Sequence, residues 1–118
     1  DIITGQDYLS TLIECDAIIT NPPFMLSERF IRKAVKEARI VAMLLKSQYW
    51  HAAKRYMLFI EHPPTYVLPL TWRPDFLEHE RKDGSKGSPT MDVGWSVWDK
   101  NATHSGVLYM PLLKPTQQ

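Results

Sequence analysis

Residues 16–24 read Asp16-Ala17-Ile18-Ile19-Thr20-Asn21-Pro22-Pro23-Phe24: a short apolar run that ends abruptly on Asn-Pro-Pro-Phe. The run is too short for a helix, and its β-branched content predicts a strand. Its unbroken apolar character suits a strand buried on both faces, as in a parallel sheet. Directly after it, Ser27 is placed to cap a helix. Phe30, Ile31, Ala34, Val35 and Ala38 then recur at spacings of one, three and four, with Arg32, Lys33, Lys36 and Glu37 turned away. A second apolar run, Ile40 to Leu45, stops at Lys46 and predicts another buried strand.

Further along, Gln48 to Ile60 reads as a second helix, stopped by His62-Pro63-Pro64. Tyr66 to Leu70 reads as a third strand, with Pro69 pointing to an edge or a bulge. Residues 73–90 form a long polar loop. Trp95-Ser96-Val97-Trp98 reads as a strand whose two tryptophans face opposite sides, one of them core. Val107 to Met110 reads as the last strand, and Pro111 to Gln118 as a frayed tail. Before the opening run, Ile2 to Gly5 reads as a strand end, Gln6 to Leu9 as a loop and Ser10 to Glu14 as a short turn or helix. The alternation from Asp16 onward predicts an α/β fold with at least two parallel crossovers. In such sheets ligands bind at the carboxyl ends of the strands, where Asn21 to Phe24 stand.

The chain has 118 residues and 44% hydrophobic content, which fits one small domain, residues 1–118, with a packed core. It carries 14 basic and 13 acidic residues, a balance that neither announces nor excludes a nucleic-acid partner. Cys15 is the single cysteine, so no internal disulfide forms, and a reducing, cytoplasmic setting is expected. No run approaches the roughly 18 apolar residues of a membrane span. The chain opens at Asp1 on an apolar pair, which reads as a piece of something longer. The four histidines lack metal-ligand spacing, so no metal site is expected. Cys15 reads as packing rather than a nucleophile. Ser47 and Ser96 have no His-Asp set.

Asn-Pro-Pro-aromatic at a strand end places a side-chain amide, rigid backbone carbonyls and an aromatic face together. A plain strand-to-helix turn uses the same residue types. The functional reading is a grip on a planar exocyclic amine. Such an amine is a poor nucleophile because its lone pair is delocalised into the ring. Acceptors around its two hydrogens, the Asn21 side-chain oxygen and the Pro22 carbonyl, favour a tetrahedral nitrogen with a free lone pair. Pro22 and Pro23 hold the backbone direction, and Phe24 stacks on the ring. An adenine in a duplex must be flipped out to reach such a pocket.

With these residues the chain resembles N(6)-adenine DNA methyltransferases that use S-adenosylmethionine. Asp16 to Phe24 are similar to the family's catalytic strand and loop. Gln6-Asp7-Tyr8-Leu9 resembles its acidic-aromatic-Leu motif, with Tyr8 where Phe is more usual. Phe30 to Ala38, Ile40 to Leu45, Arg73-Pro74-Asp75-Phe76 and Trp95 to Trp98 resemble phage and prophage members. The resemblance implies that Asn21, Pro22, Pro23 and Phe24 hold the target adenine. It implies that Asp7 and Tyr8, with Asn21, touch the cofactor S-adenosylmethionine, and that DNA is the partner. It also implies the C-terminal half of a Rossmann-like class I methyltransferase sheet, mostly parallel with an antiparallel last strand.

The departure from the family lies in its glycine-rich cofactor loop: Gly5, Gly84, Gly87, Gly94 and Gly106 include no Gly-x-Gly pair. The resemblance therefore implies a missing first half and an exposed apolar strand edge. That edge predicts a homodimer, an aggregation-prone fragment, or a second chain supplying the N-terminal half. The loop carrying Arg81, Lys82 and Lys86 is a candidate for DNA phosphates, or a solvated loop. Lys54 and Arg55 read as a solvated helix face. The same grip suits an RNA adenine or a protein side-chain amide, and a non-catalytic remnant that binds DNA or a partner is a further reading.

Overall fold

The computed structural model describes Leu9, residues 15–74 and residues 91–115. In these residues the chain forms β1 (Cys15–Thr20), α1 (Ser27–Glu37), β2 (Ala38–Lys46), α2 (Tyr56–Glu61), β3 (Tyr66–Pro69), β4 (Val93–Asp99) and β5 (Leu108–Tyr109). The expected strand before Gly5 and the turn after Ser10 lie outside the described residues. So do residues 75–90 of the long loop. Leu9, expected in a loop, is helical and packs against the core.

The strands form one mixed sheet in the order β1-β2-β4-β3-β5. β1 and β2 are parallel, joined through α1. β4 is antiparallel to both β2 and β3, and β3 is parallel to β5. Four strands therefore share one direction. The expected antiparallel strand exists, but it is β4 rather than the last strand, and it is internal. Because β4 enters between β2 and β3, those two run the same way without touching.

α1 forms where the three-four stripe predicts it. Phe30, Ile31 and Ala34 are buried against the sheet. The chain passes from Glu37 straight into β2, since Ala38 is already extended at φ −124° and ψ 150°. On the exposed flank Arg32 pairs with Glu28 one turn back at 3.1 Å and with Glu61 of α2 at 3.2 Å. Pairs this exposed orient the helices more than they stabilise them. In β2, Val41, Met43 and Leu45 are buried while Ile40, Ala42 and Leu44 are half-buried, so both faces are covered.

β1 is not buried on both faces, as its composition suggested, but presents an exposed apolar edge, as the resemblance implied. Among the described residues it lies at the sheet edge, paired to β2 alone, and most of it is exposed; Ile19 is 67% exposed. Cys15, expected in packing, is exposed for the same reason.

The expected helix from Gln48 to Ile60 is broken into 3₁₀ turns at Ser47–His51 and Ala53–Arg55 before α2. Ala52 between them is extended. Tyr49 and Leu58 are both buried, yet nine residues of unbroken helix make about 2.5 turns and would put them on opposite faces. The break lets both face the core. It also stacks Trp50 on Phe59 at 4.1 Å.

Trp98 is the core tryptophan, and its indole N–H donates to the His62 carbonyl at 2.8 Å, just past the end of α2. Trp95, on the other face, is half-buried. Pro69 is neither at an edge nor at a bulge. It ends the internal strand β3, where its carbonyl accepts from Leu112 N at 2.8 Å. Gly94 lies opposite it, and a Cβ there would come 2.9 Å from Pro69 Cα. The tail is not frayed through Leu112, since Thr71 N and Oγ1 both donate to the Leu112 carbonyl.

Ser96 Oγ is buried without a hydrogen-bond partner among the described residues. An unsatisfied buried hydroxyl costs about 1–3 kcal/mol. Ser96→Ala is therefore expected to leave stability unchanged or raise it by up to ~1 kcal/mol. The midpoint of urea unfolding checks this; a clear fall would show that the hydroxyl has a partner.

Candidate functional site

β1 and β2 run in parallel, so their carboxyl ends, Thr20 and Lys46, lie at one end of the sheet. The antiparallel β4 begins there, because Lys46 is opposite Val93. A cavity of about 280 Å³ opens at this end, lined by Asn21, Pro22 and Phe24 with Leu44, Leu45, Lys46, Tyr49, Met91 and Val93 among others. The expected grip thus faces a largely apolar recess at the position expected for a ligand in an open α/β sheet.

Pro22 is buried, whereas Asn21 and Pro23 are exposed and Phe24 is 51% exposed. The Pro23 carbonyl accepts from Leu26 N at 3.0 Å and closes a 3₁₀ turn over Phe24–Leu26. Neither the Asn21 side-chain amide nor the Pro22 carbonyl has a hydrogen-bond partner among the described residues. Both keep their acceptor capacity for a ligand.

Ser27 does not cap α1 as expected, since no backbone N–H is bound by its side chain. Instead Ser27 Oγ is buried 2.9 Å from the Phe24 carbonyl and 3.0 Å from the Tyr49 hydroxyl. The carbonyl can only accept, so the Ser27 hydrogen goes there and the Tyr49 hydroxyl donates to Ser27 Oγ. This relay ties the Asn-Pro-Pro-Phe turn to the segment after β2.

Tyr49 and Arg55 were not marked by the sequence pattern. Arg55, expected on a solvated face, is 6% exposed. Its guanidinium lies 3.8 Å from the centre of the Tyr49 ring and 5.4 Å from that of Phe24. It donates to the Tyr49 carbonyl at 3.3 Å. Lys46 Nζ lies 5.1 Å from the Phe24 centroid. Lys46 had a signal in sequence, as the residue ending a buried strand beside the turn. Arg55 had none, because its burial depends on the break at Ala52.

Burial pushes the Tyr49 hydroxyl above its ordinary pKa, while the nearby Arg55 charge, which favours a phenolate, opposes the rise. A folded-state pKa above the unfolded value means that the folded chain holds this proton more tightly. That contribution is complete below about pH 10 and is lost as pH rises through the folded value. Wild type is therefore expected to lose more stability than Tyr49→Phe above about pH 10, as read by thermal unfolding across pH. Parallel curves would contradict the assignment.

Asp7, Tyr8, Arg81, Lys82 and Lys86 lie outside the described residues. Of the residues that the resemblance gives to S-adenosylmethionine, Asn21 alone is described, and it lines the cavity at the carboxyl end of the sheet. The sequence contains no Gly-x-Gly. Among the described residues no helix is long and apolar enough to cross a membrane. No family model, no curated protein and no solved structure matches this chain.

Proposed function

We propose that this chain carries the acceptor side of an adenine N(6)-methyltransferase: the pocket that holds the exocyclic amine of a flipped adenine in DNA. The observation that carries this reading is the Asn21 amide and Pro22 carbonyl, without hydrogen-bond partners among the described residues, beside Phe24 at the lining of an apolar cavity. An adenine in that cavity would give its two amine hydrogens to Asn21 and Pro22. Phe24 would set the plane of the base, and Leu44, Leu45 and Val93 would exclude water from its edge. The base needs no charged partner, since it is neutral.

On this reading the sheet is the C-terminal half of a Rossmann-like class I methyltransferase fold. Supporting it are the parallel β1-α1-β2 unit and a single reversed strand late in the chain. The donor seat then comes from elsewhere, from a second copy or a chain bearing the N-terminal half. The edge of β1, with Ile19 exposed, is where that half would pair.

The test is methyl transfer from labelled S-adenosylmethionine to unmethylated DNA, RNA and protein, with the chain alone and with a donor half added. N(6)-methyladenine in DNA, formed only with the donor half, is the expected product. Label in RNA or protein would reassign the acceptor. Robust turnover by the chain alone would overturn the claim that the donor seat lies elsewhere. The lack of a Gly-x-Gly in the sequence supports a second reading, a module that binds DNA without catalysis. Base binding with no transfer in any combination would support it.

A further inference from the structure

Arg55 carries a permanent charge, and it is buried. A buried cation is costly unless something compensates it. Among the described residues no carboxylate lies within ion-pair distance of Arg55 or of Lys46. What meets the guanidinium is the Tyr49 ring, the Phe24 ring and one backbone carbonyl. Those groups offer only partial charges against it.

Lys46 adds a second cation at the same ring. Both charges stand over Phe24, so they are no further apart than the sum of their distances to its centre, 5.1 and 5.4 Å. Like charges gathered around one ring repel, and a partly desolvated site screens them less than open water does. Two cations around one ring favour an anion at the rim of the cavity.

We propose that Lys46 and Arg55 form a phosphate subsite beside Phe24, which takes the 5′-phosphate of the nucleotide whose base enters the cavity. This rests on the base-pocket reading above. Lys46 lines the cavity and makes the direct contact. Arg55, seated against Tyr49, supplies a fixed positive field at the same point. Phe24 runs from the cavity to solvent, so a base on its face leaves the ribose and phosphate at the rim. There the phosphate keeps part of its hydration, which limits the desolvation cost. The subsite selects a nucleotide over a planar amide on a protein, because only the nucleotide brings the anion.

Calorimetric titration of the chain at low salt with adenosine, 5′-AMP and inorganic phosphate tests this. 5′-AMP is expected to bind about tenfold tighter than adenosine or better, with the advantage shrinking as salt rises. In Lys46→Gln the ratio is expected to fall toward one. Equal affinities for adenosine and 5′-AMP in the wild type would overturn the subsite and leave the base pocket standing. Binding of phosphate without either nucleoside or nucleotide would keep an anion site and remove the base pocket. Failure of all three to bind would overturn both.

Discussion

Asn21→Ala is expected to lower methyl transfer to an adenine amine by about 10²–10³-fold, in whatever assembly of the chain turns over. The reason is geometric. On the proposed function the Asn21 amide is an acceptor at the strand end whose interaction with the amine grows as the nitrogen becomes tetrahedral. Interactions that strengthen on the way to the transition state appear in kcat more than in KM. Stability is expected to stay within about 0.5 kcal/mol, since Asn21 is exposed and its side chain has no partner among the described residues. The measurement is kcat and KM with wild type and variant, beside an unfolding curve for each. A variant with near-normal kcat would show that the amide does not contact the reacting amine.

Tyr49→Ala is expected to be the most damaging single change to the fold near the site, at about 3–5 kcal/mol. Tyr49 is 1% exposed. Its loss opens a cavity, removes the hydroxyl that meets Ser27 Oγ, and leaves Arg55 without its closest aromatic face. A small domain holds about 5–15 kcal/mol in all, so much of the population would unfold. Tyr49→Phe keeps the ring and loses the hydroxyl alone, with an expected cost of about 1 kcal/mol. Guanidinium unfolding of the two variants separates packing from hydrogen bonding. Similar costs for both would mean that the hydroxyl relay, not the ring, holds this segment.

The two variants also bear on how the site is built. The turn from Asn21 to Phe24 is short, and three of its residues are exposed or half-exposed. It owes its position to Pro22, which is buried, and to the Phe24 carbonyl, which is held through Ser27 by Tyr49. Tyr49 is thus a positioning residue, and its loss is expected to weaken base binding even in molecules that remain folded.

The segment from Asp16 to Lys46 was legible because its signals are local. Two apolar runs of strand length flank a three-four stripe, and each formed the element its spacing implied. The position of β4 was not legible. Its partners β2 and β3 are both remote in sequence, and an alternating Trp-Ser-Val-Trp pattern does not say which neighbours it joins. The composition of β1 suits burial on both faces, and only the resemblance implied the exposed edge that it presents among the described residues. Pro69 was misjudged because an internal strand can tolerate proline at its very end, where a glycine opposite makes room.

The candidate site divides along the same line. Asn21, Pro22, Pro23 and Phe24 are contiguous, so chemistry and spacing could be read together. Tyr49, Lys46 and Arg55 reach the site only through the sheet and the break at Ala52. Composition alone put Arg55 in solvent, as it would most arginines. Its burial follows from Tyr49 turning inward, which a helical reading of Gln48 to Ile60 did not allow.

The central claim, that Asn21 and Pro22 hold an exocyclic amine, is tested most directly by comparing adenosine with purine riboside, which lacks that amine. Affinities for both are measured with wild type and with Asn21→Ala. Two hydrogen bonds are worth about 1–3 kcal/mol together, so adenosine is expected to bind the wild type about tenfold tighter or better, with the preference reduced in the variant. Equal affinity of the wild type for the two nucleosides would contradict the account.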